Sequence, residues 1–386
     1  MEKPYFRRKI DDELLKWVNS RNRKPLLLRG ARQVGKSSSI RHLAKNFKYF
    51  IEINFEGQRQ LHKVFENNLS PKEICENISI IFNTPIIPGE TLLFFDEIQA
   101  CIPAISSLRF FYEKYNELHL IAAGSLLEFV LSEIPSFGVG RISSHFLYPF
   151  SFDEFLSASN EGLLLKAKND SSFNNPLLEP IHYKILQLFK KYLLLGGMPE
   201  VISNYIQYND LLSSFQILDD LITSLKTDFA KYKHRVPSLR ILEVFESVTR
   251  QMGHKFVFSK ADIEANHKQI KEALNLLIMA GLVVPVTHSS SNGIPLGAEI
   301  NHKKRKMLIF DTGIFQRLLG LNISDIMIED DFNVINKGAI AESFVGLEIL
   351  KSLPSNLQQN LYYWHRETVS GNAEVDYVIQ LGQNII

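Results

Sequence analysis

Over the first 150 residues, short unbroken apolar runs alternate with stretches whose apolar positions recur at helical spacing. Pro25–Leu28, Leu92–Phe95 and Leu118–Ala123 are apolar throughout or nearly so, the pattern of strands covered on both faces. Tyr49–Phe55 alternates and carries β-branched residues, which predicts a further strand, and Ser144–Tyr148 is strand-like as well. Ile40–Phe47 and the stretch running to about Phe82 have helical patterning, and Ile10, Leu14, Leu15 and Val18 mark an amphipathic helix at the start. Strand and helix in alternation predict an α/β fold built on a parallel sheet.

The pattern changes after residue 156. Residues 157–178 are polar and turn-rich, a boundary or an insertion, and helical patterning resumes at Ile181 until Gly196-Gly197-Met198-Pro199 interrupts it. Those four residues read as a tight packing corner or as a hinge. From Leu239 a compact unit follows: a helix over 239–252, the apolar Phe256–Phe258, a helix opening at Ser259 with Asp262 at the reciprocal-cap position, and a helix from His267 to Ala280 that Gly281 stops. Strands at Leu282–Val286 and Lys306–Phe310 then flank a Ser-Ser-Ser-Asn-Gly turn, and the set predicts a winged helix-turn-helix. A helix at Gly338–Leu350 and strands at Leu361–His365 and Ala373–Ile379 close the chain. The expected divisions are 1–156, a helical lid or linker over 157–237, a winged unit over 238–320 and a partial α+β region over 321–386.

Composition narrows the setting more than the chemistry. The 386 residues are 45% hydrophobic and 22% charged, ordinary for a globular chain of two or three domains. Forty-three Lys and Arg stand against 42 Asp and Glu, so contact with nucleic acid would have to come from a local patch rather than from the net charge of +1. Cys75 and Cys101 have no metal-binding spacing and are expected to be packing residues. The N-terminal stretch lacks a signal-peptide core and no run approaches the ~18 apolar residues of a membrane span, so a cytoplasmic protein with no membrane partner is expected.

Gly30–Ser37 reads GARQVGKS, the G-x-x-x-x-G-K-[ST] phosphate loop, placed between an apolar strand and a helix as that motif requires. Backbone N–H groups of Gly30, Ala31, Arg32, Gln33, Val34 and Gly35 would turn toward phosphates and Lys36 would reach their oxygens. Ser37 or Ser38 would offer a hydroxyl to Mg²⁺. Leu92–Glu97 ends in two carboxylates: Asp96 would orient Mg²⁺, and Glu97 would polarise the water that attacks the γ-phosphate. The competing account of Asp96-Glu97 is a helix N-cap stabilised by the dipole. Ser125, after the strand Leu118–Ala123, would reach the same sheet edge and sense the γ-phosphate, or simply cap the next helix. Arg141, after Gly138-Val139-Gly140, is the candidate cationic finger, in cis or from a neighbouring subunit, or else a surface Arg paired with a carboxylate.

With these strings in place the chain resembles the AAA+-type P-loop ATPases of bacteria and archaea that carry a C-terminal domain of unknown function. The resemblance rests on GARQVGKS, LLFFDEIQ, the Gly-Ser after the fourth strand, the Gly-Arg followed by LYPFSFDEF at Leu147–Phe155, and YLLLGGMPEV at Tyr192–Val201. It implies a three-layer sandwich with sheet order 5-1-4-3-2, and ATP and Mg²⁺ as ligands. The family's terminal domain resembles the PD-(D/E)xK nuclease fold, whose metal set is a helix Glu, a strand Asp and an E-x-K on the next strand. Glu342 and Asp376 fit the first two, and the sequence as given reaches Ile386 with no E-x-K. They are half of a second metal site or ordinary surface acids.

The winged unit adds a basic run, His302-Lys303-Lys304-Arg305-Lys306, on the returning strand, and Lys268 and Lys271 on the outer face of the preceding helix. These are candidate DNA-contacting residues; an interdomain lid is the alternative. The function expected is Mg²⁺-dependent ATP hydrolysis, coupled to DNA or a protein partner through the winged unit. A slow nucleotide-gated switch that captures DNA or protein is the alternative, and an ATP-coupled nuclease a weaker one; the oligomeric state is open.

Overall fold

A computed structural model describes residues 4–66, 70–125, 127–131, 140–232, 236–261, 267–320, 337–357, 360–368 and 371–386. The chain divides into two compact units, one of Met1–Tyr148 with Pro354–Gln358, the other of Pro149–Leu353 with Gln359–Ile386.

The first unit starts with α1 (Lys9–Val18), whose Ile10, Leu14 and Trp17 are buried and whose Trp17 indole donates to Lys24 O at 2.8 Å, fixing the entry to the sheet. There follow β1 (Leu26–Arg29), α2 (Lys36–Ala44), β2 (Tyr49–Asn54), α3 (Lys63–Glu66), α4 (Pro71–Phe82), β3 (Thr91–Asp96), α5 (Ile102–Lys114), β4 (His119–Ala123), α6 (Leu127–Leu131) and β5 (Ser143–Phe146). All five strands are parallel, in the order β2-β3-β4-β1-β5, which is the expected 5-1-4-3-2 counted from the other edge. Interior position explains the apolar runs: every residue of β3 and β4 is buried, whereas the edge strand β2 buries only Ile51 and Ile53. On one face Phe55, Phe65, Phe95 and Phe111 interlock edge to face with Ile74, Ile78 and Leu108. Cys75 and Cys101 are buried and unpaired, as packing residues should be. At the edge of the sheet, Phe146 N donates to Ser355 O at 2.8 Å and His145 meets the Ser355 hydroxyl at 2.7 Å.

The second unit is helical at first: α7 (Phe152–Ala158), α8 (Gly162–Asp170), α9 (Glu179–Leu195), α10 (Pro199–Tyr208) and α11 (Leu211–Asp228). The polar stretch 157–178 thus contains a helix, but α8 buries none of its residues, so no apolar stripe announced it. The Gly196-Gly197 break is a packing corner. A Cβ on Gly197 would lie 2.2 Å from Phe150 O, while its N–H donates to the buried Asp311 carboxylate at 2.6 Å.

Then come α12 (Ser238–Arg250), α13 (His267–Met279), β6 (Val283–Ser289), β7 (Ile300–Ile309), α14 (Thr312–Leu318), α15 (Lys337–Ser352), β8 (Leu361–Thr368), β9 (Gly371–Val378), β10 (Gln380–Leu381) and β11 (Asn384–Ile385). Asp262 and most of the helix expected to open at Ser259 lie outside the described residues. The hairpin β6/β7 is antiparallel, as expected of a wing, but β6 also pairs in parallel with β8, giving one sheet in the order β7-β6-β8-β9. The hairpin and the final strands, expected in separate domains, therefore share backbone hydrogen bonds.

Candidate functional site

The loop between β1 and α2, the end of β3 and the end of β4 lie at the C-terminal edge of the parallel sheet, where such sheets bind ligands. Gly30 leaves β1 with φ 143°, and a Cβ there would sit 2.2 Å from Leu147 O, so only glycine lets the chain past the end of β5. Gln33 holds a positive φ of 64° without being glycine, a local strain of the kind found at ligand sites. Gly35 then caps α2. Of the remaining loop residues, Ala31 and Val34 are buried, Arg32 is half-buried and Ser38 is exposed.

Lys36 is 8% exposed and its ammonium donates to Gly30 O at 2.8 Å and Ala31 O at 2.7 Å. Burial pushes its pKa down to about 8, against the pull of the Glu97 and Asp96 charges. Ser37 Oγ donates to the Asp96 carboxylate, 3.1 and 3.2 Å from its two oxygens, so α2 and β3 bring the two expected metal ligands together. Asp96 also accepts from Glu97 N at 3.1 Å and Asn54 Nδ2 at 3.4 Å. Its pKa is raised, first by burial and then by the neighbouring Glu97 charge. Glu97 itself is in the left-handed region, φ 48° and ψ 44°. Its Oε2 accepts from Gln99 Nε2 at 2.5 Å, and Ser125 Oγ stands 3.5 Å away.

Arg141 is not among these groups: its Nε pairs with Glu113 at 2.6 Å, and Gly138 and Val139 before it lie outside the described residues. Three residues near the loop escaped the sequence reading. Asn54, at the end of β2, was visible as a polar residue closing an apolar alternation. Arg29, one residue before the loop, forms a two-point ion pair with Glu128 of α6 and lies over the Phe146 ring. Gln99 closes the string LLFFDEIQ, but the sequence assigned it no role, because its position depends on the turn after Glu97.

In the second unit the basic residues part company. Lys268, Lys271 and Lys303 are exposed, Lys304 and Arg305 are half-buried, and Arg305 hydrogen-bonds His302 at 2.9 Å. Lys306 differs from its expected role at a phosphate: it is 2% exposed, and its ammonium donates to Glu342 at 2.7 Å, to Asp376 at 3.0 Å and to Glu374. Burial alone would lower its pKa; the three carboxylates override this and hold it above the usual lysine value. Glu342 and Asp376 thus meet on one ammonium, and the cation between them is the chain's own. No group of three or more His, Cys, Asp or Glu with metal-holding geometry occurs among the described residues. Among the same residues no helix is long and apolar enough to cross a membrane.

Residues 22–156 match the family model described as AAA domain. Residues 186–325 and 337–386 match two models described as domains of unknown function, DUF8612 and DUF4143. No curated protein matches the chain. Among solved structures, the Walker-type ATPase PABY2304 of Pyrococcus abyssi is 16% identical with a TM-score of 0.51, the match covering 82% of this chain and 96% of that one. The Aeropyrum pernix ORC1 protein in complex with DNA is 11% identical, with a TM-score of 0.30 over 85% of this chain and 96% of that one. At such identities the first likeness is one of fold alone, and the TM-score of the second is too low to bear on the argument. The family match and the geometry at the sheet edge agree that residues 22–156 are an AAA-type P-loop domain.

Proposed function

We propose that the first unit binds ATP with Mg²⁺ and hydrolyses its β–γ phosphoanhydride bond. The observation that carries the reading is the contact of Ser37 with Asp96, beside Lys36 and Glu97, at the end of a five-stranded parallel sheet. A hydroxyl and a buried carboxylate are hard oxygen donors of the kind Mg²⁺ takes, so the residues fit that ion, which when bound neutralises phosphate charge. Lys36 exchanges two loop carbonyls for phosphate oxygens. Glu97 accepts the proton of the attacking water, and Ser125 holds that water or the γ-phosphate from the neighbouring strand end. Arg141 serves as a finger only by giving up Glu113.

A second reading, in which nucleotide state governs capture of DNA, is favoured by the exposed cations Lys268, Lys271 and Lys303 on α13 and β7, the elements a winged helix presents to a duplex. One experiment addresses both: single-turnover Mg-ATP hydrolysis with and without duplex DNA at low salt. Lys36→Ala should abolish nucleotide binding. Glu97→Gln should retain binding and lose about 10²-fold or more in rate, the contribution of a general base. Wild-type turnover by Glu97→Gln removes Glu97 as the base; a rate and a binding signal indifferent to duplex remove the DNA reading.

A further inference from the structure

Between Glu97 and Cys101 the chain reverses in a single turn of 3₁₀ helix, Ile98–Ala100, closed by Ala100 N donating to Glu97 O at 3.0 Å. The reversal, made possible by the left-handed backbone of Glu97, carries the side chain of Gln99 back onto the Glu97 carboxylate. The amide can face it only one way: with its oxygen toward Oε2 two acceptors would meet, so Nε2 must be the donor. That leaves Gln99 Oε1 buried with no hydrogen-bond partner among the described residues, lying over the backbone of Gly124. A methyl group at Gly124 would come within 1.9 Å of this oxygen, so the absence of a side chain there is what admits the amide. A buried acceptor without a partner costs stability and in a native fold calls for another explanation.

We infer that Gln99 is a positioning residue for Glu97. The inference rests on the proposed reading of Glu97 as general base. Among the described residues both hydrogen-bond partners of the Glu97 carboxylate, Gln99 and Ser125, are on Oε2. Anchoring that oxygen leaves Oε1 as the atom that accepts the proton, and fixes a side chain that would otherwise sample several rotamers on a strained backbone. Gly124 belongs to the same device, since it gives the amide its place and passes directly to Ser125.

The test compares Gln99→Met, which keeps the length and removes the donor, with Gly124→Ala, which keeps the amide and evicts it. Each should lower kcat about 10- to 100-fold, part of what a positioned general base supplies, and leave the ATP dissociation constant within about threefold of wild type. The double variant should be no slower than the slower single one, because both remove the same contact. Retained nucleotide binding shows that each variant is folded at the loop, and Gln99→Glu, which keeps the size and replaces the donor by a like charge, should be at least as slow. Wild-type kcat in Gln99→Met, where Glu97→Gln is inactive, overturns the role of Gln99 and leaves that of Glu97 standing. Wild-type kcat in Glu97→Gln instead overturns the reading beneath it. Additive losses in the double variant separate Gly124 from Gln99 and refute the shared device.

Discussion

An ammonium that is 8% exposed and held by two carbonyls is poorly compensated for the water it has lost, which is why Lys36 titrates near 8 rather than near 10.5. A nucleotide triphosphate reverses this, since its oxygens are charged and stabilise the protonated form. Binding should therefore take up a proton, more of one at pH 9 than at pH 7, with affinity falling as pH rises above about 8. Calorimetric titration in two buffers of different ionisation enthalpy reads the uptake directly. Lys36→Arg, which stays charged throughout, should lose it; equal uptake in that variant would assign the proton elsewhere. The same pKa fixes a sign for stability. Between about 8 and 10.5 the unfolded chain holds a proton that folded Lys36 has released, so this residue makes the nucleotide-free fold more stable as pH rises through that range.

At the level of elements, the second unit is tied together by Lys306. Its strand β7 carries it among Glu342 of α15 and Glu374 and Asp376 of β9, with Tyr363 of β8 beneath it at 5.4 Å. Lys306→Met keeps the aliphatic stem but leaves three carboxylates facing one another, which should cost about 2–4 kcal/mol in urea unfolding, below the usual figure for a broken buried pair because Glu374 and Asp376 are partly exposed. Adding Glu342→Gln should recover part of the loss; no recovery would mean that packing rather than charge accounts for it. Lys306 also marks where sequence reasoning ran out. The loop and the strand ends were legible because each depends on a few neighbouring residues and on apolar runs of the kind buried strands produce, while the order of the first sheet followed only from the family resemblance. Lys306 read as one of four adjacent cations, and nothing local distinguishes it from Lys303. Its burial follows from the parallel pairing of β6 with β8, which brings in residues far along the chain. Gln99 was hidden for a related reason: its partner is two residues away, but only a left-handed Glu97 lets them meet.

On the scale of the whole molecule, the chain leaves the first unit at Tyr148 and contributes Pro354–Gln358 to it again near its end. That return has an energetic consequence. Ser355 covers the edge strand β5 through its carbonyl to Phe146 and through its hydroxyl to His145, whose pKa burial has lowered. Each unit carries one of the two tryptophans, Trp17 in the first and Trp364 in the second, so single-tryptophan variants report the units separately. Ser355→Ala should lower the stability reported by Trp17 by about 0.5–1.5 kcal/mol, the worth of one hydrogen bond, and leave the Trp364 transition where it was, although Ser355 lies far nearer Trp364 in sequence. ATP should move the same Trp17 transition upward, by about 2.7 kcal/mol at a hundred times its dissociation constant. Should Ser355→Ala instead shift the Trp364 transition, the five residues would belong energetically to the second unit, and the edge of the nucleotide-binding sheet would be independent of the end of the chain.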